Sequence, residues 1–190
     1  MSRKTLYFLL FVVLFGNVYS RKNMEVSFKL YSPVFKSGEF IPPKYTCEGE
    51  NISPQLGWDG VPFGTKSFAL ICDDPDAPTD KPFVHWLIYN IKGKERGLPA
   101  NVPMRFSFGE NYKIPSLRGV KQGRNDFNVV GYKGPCPRVG KKIHNYRFIL
   151  YALNKKLKVK AGTTKEKLLK AMKGAIIGKA ILIGRYRMQK

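Results

Sequence analysis

Ser67-Phe68-Ala69-Leu70-Ile71-Cys72-Asp73-Asp74-Pro75-Asp76-Ala77-Pro78 joins an apolar run to a stiff acidic loop. The run from Phe68 to Cys72 is unbroken and too short for a helix, so it reads as a strand. The loop is rigid because each proline fixes its own backbone and pushes the residue before it, Asp74 or Ala77, towards an extended conformation. A strand feeding such a loop holds its carboxylates in place. Outward from it, Val84 to Ile91, with Trp86, Ile88 and Tyr89, makes a second strand, and Tyr146 to Leu153 a third. Val26, Phe28 and Leu30 alternate with polar residues near the start, and Ala180-Ile181-Leu182-Ile183 with Tyr186 reads as the last strand. One helix is expected, capped by Thr163 or Thr164, with Glu166 in its first turn. Leu168, Leu169 and Met172 form its apolar face and Gly174 closes it. The segment from Lys92 to Arg124 is irregular, basic and dotted with Gly and Pro, and reads as a long surface excursion. Many short strands with frequent turns predict a mainly β fold: a sandwich of two β-sheets with one or two short peripheral helices.

The chain of 190 residues is long enough for one domain with a full core. Its first 20 residues stand apart. Arg3 and Lys4 precede an apolar run from Leu6 to Phe15, and Gly16-Asn17-Val18-Tyr19-Ser20 offers a small residue at the end. That order matches a secretory signal peptide, leaving residues 21–190 as a single domain that is secreted, periplasmic or held at the cell surface. The apolar run is about half of the roughly 20 residues a spanning helix needs, although an uncleaved anchor is the alternative. Lys and Arg outnumber Asp and Glu to give a net charge of +21, and Glu166 is the only acid beyond Asp126. Such a field attracts anionic partners or simply solubilises the surface. Cys47, Cys72 and Cys136 are too few for a disulfide scaffold, though an exported chain can form one bridge and keep one thiol. No zinc spacing is present, so no metal site is expected, and no cofactor motif is legible.

The chemistry-bearing residues cluster in two segments. Asp74 and Asp76 flank Pro75, and His85 follows beside Trp86, itself expected in the core. His144 precedes Tyr146 by two residues, so both side chains point to one side of an extended strand. Between them, Gly131-Tyr132-Lys133-Gly134-Pro135-Cys136-Pro137 allows close backbone approach, and its exposed N–H groups can cradle an anion. Taken singly, these are an Asx-type turn, two packed imidazoles and a loop.

Together they resemble a known family. Asp-Pro-Asp-Ala-Pro at 74–78, Val84-His85-Trp86, the Gly131 to Pro137 loop, and His144-Asn145-Tyr146 before the Phe148 to Leu153 strand are similar to the phosphatidylethanolamine-binding proteins. The likeness runs from about Phe28 to Tyr186 and is greatest to the bacterial and archaeal Raf-kinase-inhibitor-like branch. Tyr45-Thr46-Cys47, Asn51-Ile52-Ser53-Pro54, Trp58 and Ile183-Gly184 with Tyr186 agree with that branch. The resemblance implies a β-sandwich with a shallow anion pocket lined by Asp74, His85, Gly134, Pro135, His144 and Tyr146, with Asp76 and Cys136 close by. It implies a phosphate or phosphorylated headgroup as ligand, with the carboxylates orienting an imidazole or accepting from a headgroup ammonium. Arg138, Asn145 and Ala175 depart from the family's usual Pro, Arg and His, which bears on ligand preference.

The function expected is a secreted, non-enzymatic binding protein for a small anionic or phosphorylated ligand. The alternative is an inhibitor of a serine protease or other protein partner through the pocket face. An anionic membrane surface is a further candidate partner, whereas no nucleic-acid motif is present. No nucleophile–base pair is legible, so no catalytic residue is assigned.

Overall fold

The computed structural model describes residues 27–138, 140 and 142–188. The signal peptide expected at residues 1–20, and Val26 of the first alternating run, lie outside them.

Ser67–Asp74 is buried at every position and forms β3, the middle strand of a five-stranded antiparallel sheet. A strand covered on both faces cannot alternate in polarity, which is why the sequence there is an unbroken apolar run. Phe83–Lys92 is β4 and His144–Leu153 is β7; they pair with β3 on either side. Lys121–Gln122, β6, edges the sheet beyond β4, and Ile176–Tyr186, β8, edges it beyond β7. The smaller sheet has three strands: Lys29–Tyr31 (β1), Leu56–Asp59 (β2) and Gly97–Leu98 (β5), in the order β1-β2-β5.

Alternation along β3 divides the molecule into two cores. Phe68, Leu70 and Cys72 face the small sheet and pack with Trp58, Trp86, Phe148 and Leu182. Ala69 and Ile71 face outward and pack with Leu87, Tyr89, Ile149 and Tyr151 under the helix Lys165–Met172, α1. α1 starts after Thr164 and ends into Gly174, whose φ of +72° only glycine adopts readily. Its buried face is Leu168 and Met172; Leu169 stands 38% exposed, contrary to the expected apolar trio. The reason is angular, since Leu169 lies about 100° around the helix from Leu168.

The segment from Lys92 to Arg124 is no surface excursion. It supplies β5 and β6 and buries Leu98, Val102, Phe108, Leu117 and Val120 in the inter-sheet core. Those apolar residues follow neither a helical nor a strand period, because they plug the gap beside short strands. Gln122 is fully buried there, accepting from Trp86 Nε1 at 2.7 Å and donating to the carbonyls of Pro103 and Arg105.

Candidate functional site: a cleft floored by two imidazoles

The cleft opens where β3 leaves the sheet and where β4 and β7 enter it. Its volume is about 440 Å³, within the range of small-molecule sites. Asp74, His85, His144 and Tyr146 come from three different strands to line it.

A bulge brings His85 into this set. Cys72 pairs with Trp86 and Asp73 with Val84, so β4 carries His85 as an extra residue. A bulge breaks alternation, so His85 joins Trp86 on the inward side instead of pointing away from it. Asn125 supports the bulge: its side-chain amide donates to the carbonyls of His85 and Gly131. His144 and Tyr146 share the inward face of β7, as their spacing predicts; their rings stack with centroids 6.4 Å apart. The Tyr146 ring meets the His85 ring edge-on at 5.1 Å.

The imidazoles are fixed as to tautomer. His85 Nδ1 lies 2.7 Å from the Lys133 carbonyl, and His144 Nδ1 lies 2.8 Å from Asp74 Oδ2. Both partners only accept, so each Nδ1 carries the proton and Nε2 is the atom left for the cleft. Burial lowers the His85 imidazole below its ordinary value, against the opposing pull of Lys133 and Asp74. At neutral pH it is therefore uncharged and offers a lone pair at Nε2. Burial, then the neighbouring Asp74 carboxylate, push the Tyr146 phenol far up, so it stays protonated and can donate.

The carboxylates are occupied within the protein. Asp74 holds His144 through Oδ2 and accepts the Asp76 N–H through Oδ1 at 2.8 Å, closing the turn predicted for that loop. Asp76 Oδ2 accepts from both the backbone and the side chain of Asn145. Partial burial works against its ionised form, but the Asn145 bonds, with Lys142 and His144 nearby, hold its carboxyl below the usual carboxylate range. Asn145 thus has a definite partner where the family usually carries Arg.

Asp74, Asp76, His85, Cys136, His144 and Tyr146 line the cleft, whereas Gly134 and Pro135 do not. Both are buried behind its wall. The Gly134 N–H donates to Asn51 Oδ1 at 2.7 Å, and a Cβ on Gly134 would stand 2.2 Å from the Tyr45 carbonyl. This N–H is spent on the neighbouring loop, so the anion-cradling role expected of it is not seen. The loop is tied down further by the Cys47–Cys136 disulfide, Cys47 N–H to the Pro135 carbonyl, and Tyr132 hydroxyl to the Tyr45 carbonyl. The third cysteine, Cys72, is a buried free thiol.

Sequence reasoning missed one wall and assigned no role to another. Phe83 and Phe127 meet edge-on at 4.9 Å and Phe127 lies 5.3 Å from the His85 ring. Phe127 is displayed on a turn whose N–H groups at Phe127 and Val129 both donate to Asn125 Oδ1. Asn125-Asp126 was a legible turn signal, but its proximity to His85 was not. Across the cleft stand Arg138 and Lys142, the latter donating to the Asp76 carbonyl at 2.9 Å. Among the described residues no group of three or more His, Cys, Asp or Glu is gathered as for a metal ion.

A family model, Phosphatidylethanolamine-binding protein, matches residues 31–187. The chain belongs to the phosphatidylethanolamine-binding protein family. Its relatives include the UPF0098 protein of the archaeon Methanothermobacter thermautotrophicus, 51% identical over 77% of this chain and 90% of its own length. That of the bacterium Aquifex aeolicus is 44% identical, covering 84% and 88%. Among solved structures, YbcL of Escherichia coli, described as a member of the mammalian PEBP family, superposes with a TM-score of 0.76 at 35% identity, covering 86% of this chain and 99% of its own. The chain thus shares the family's two-sheet fold.

Proposed function

We propose that this protein is a non-enzymatic binding protein whose cleft holds a small phosphoryl anion or phosphorylated headgroup. One observation carries the reading: two tautomer-fixed imidazoles turn Nε2 towards one cleft beside a protonated phenol. Arg138 and Lys142 add positive charge at the rim, and Phe83 and Phe127 offer an apolar wall for whatever the phosphoryl group is attached to. The ligand in the family's name, phosphatidylethanolamine, is a phosphodiester. The aliphatic hydroxyl and the cysteine sulfur of the cleft are engaged otherwise, which supports binding over catalysis: Thr79 donates to the Lys81 carbonyl and the Cys136 sulfur is bridged.

His85 gives the binding a pH signature. An uncharged Nε2 can accept from a ligand P–OH or, once protonated, donate to a phosphoryl oxygen. Either way, a complex with a dianionic phosphomonoester holds one proton that the separated partners lack at neutral pH. Affinity for a phosphomonoester such as glycerol phosphate should therefore fall roughly tenfold per pH unit above neutrality, whereas inorganic phosphate, whose dianion keeps a P–OH, should lack that slope. Titration calorimetry with phosphate and with glycerophosphoethanolamine tests the site. His85→Ala and His144→Ala should each remove binding. Undiminished affinity in both variants would reject the cleft as the site.

We also place the protein outside the cytosol. The basic and apolar start of the chain supports this, as does the Cys47–Cys136 bridge, whose Cys136 half is exposed and persists best in an oxidising compartment. Signal-peptide cleavage after Ser20 is checked by N-terminal sequencing of the protein from its source.

A further inference from the structure

The outward face of the five-stranded sheet is only partly covered. α1 packs Leu168 and Met172 with Ile149 and Tyr151, and Lys165 Nζ donates to Asp73 Oδ2 at 2.6 Å. β8 lies beyond, at the sheet's edge, with Ile181 paired opposite Ile149. Large aliphatic side chains stand bare there. Ile176, paired opposite Leu153 of the helix-covered core, and Ile181 are each 43% exposed, and Leu169 38%.

Cations surround them. Lys167, Lys170 and Lys173 on and after α1, Lys179 on β8, and Lys155, Lys156 and Lys158 in the connection after β7 are all exposed. Counter-charge is scarce. Asp73 is already bonded to Arg147 and Lys165, and Glu166 is the only other acid that this face receives from the chain beyond Asp126.

Charge and apolarity together select a partner. A second copy of this chain would bring the same lysines into contact and be repelled. A nucleic acid would engage the cations and leave the isoleucines in water. An anionic bilayer uses both, since lysines meet the headgroups while short aliphatic side chains enter the acyl boundary. We propose that this face, formed by α1, the lysines at 155–158 and the first half of β8, docks on an anionic lipid surface. The cleft lies at the other end of β8, where His144 pairs with Tyr186. Ile176 stands roughly 30 Å from there at strand rise.

Sedimentation of the whole protein with vesicles of phosphatidylglycerol and phosphatidylcholine tests the proposal, with phosphatidylcholine vesicles as control. Binding should require phosphatidylglycerol and weaken with added salt. Lys170→Gln with Lys173→Gln should reduce partition about thirtyfold, at about fivefold per charge. Ile176→Ser with Ile181→Ser should reduce it about tenfold, with phosphate binding in the cleft unchanged. His144→Ala should sediment like the unaltered protein, which separates this face from headgroup capture by the cleft. Three results overturn the proposal: equal binding to phosphatidylcholine alone, loss of binding in His144→Ala, or full binding by the isoleucine variant. In the last case, competition by duplex DNA would mark a general polyanion surface.

Discussion

His85 carries the most consequence of any single residue. Burial lowers its imidazole below the ordinary value, so the folded state takes up this proton less readily than the unfolded chain. Between that lowered value and about 6.5 the unfolded chain binds more protons. The His85 contribution is therefore complete above about pH 6.5 and is lost as pH falls through the window. Melting temperature against pH should show this drop, and His85→Gln should flatten it; a drop that survives substitution belongs to another group. Asp76 acts in a lower window, because its folded value is depressed and its contribution disappears only as pH falls through the carboxylate range. Gly134 is a packing residue of the same wall. A Cβ there would meet the Tyr45 carbonyl, so Gly134→Ala should cost about 2 kcal/mol in chemical denaturation, by forcing the two loops apart.

Among elements, two tethers decide whether the cleft keeps its shape. The Cys47–Cys136 bridge spans 89 residues of sequence and fixes the wall that carries Cys136 and Pro137. Replacing both cysteines by serine should lower stability by about 2–5 kcal/mol in urea titrations, an effect that a dithiol reductant reproduces in the unaltered protein. The other tether joins α1 to β3. Asp73 accepts from Lys165 Nζ and from both Nε and Nη2 of Arg147. Asp73→Ala leaves those partly buried cations unpaired and should cost about 3 kcal/mol, with α1 showing the largest gain in amide exchange. Protection confined to its present level in α1 would show that Leu168 and Met172 alone hold the helix.

The whole molecule has two cores that share three strands, β3, β4 and β7. Because β3 contributes Phe68 and Leu70 to one and Ala69 and Ile71 to the other, neither core survives loss of the other. Tryptophan fluorescence, which reports Trp58 and Trp86 in the inter-sheet core, should therefore change together with far-ultraviolet dichroism in a single transition. Separate midpoints would mean that the helix-covered face melts on its own. The charge asymmetry belongs to this scale as well, since the lysines lie outward of the helix-covered core while the imidazoles face inward at the strand ends.

Short-range patterns determined much of this by themselves. The strands around Leu70, Ile88 and Leu150 follow from apolar runs bounded by Pro and Gly, and the His144–Tyr146 pair from the two-residue period of an extended chain. The rigid turn at Asp74-Pro75-Asp76 was legible for the same reason: its constraints are local. Other features depend on residues far apart in sequence, and only the tertiary structure decided them. His85 lines the cleft because a bulge opposite Cys72 and Asp73 turns it inward, and nothing within β4 signals that extra residue. Gly134 lost its expected role because Asn51, 83 residues away, takes its N–H first. The stretch from Lys92 to Arg124 looked like surface because burial there has no period, being shaped by gaps between strands. Periodicity records which face of an element is covered; it is silent on which distant group reaches a backbone amide or fills a void, and those choices set the cleft.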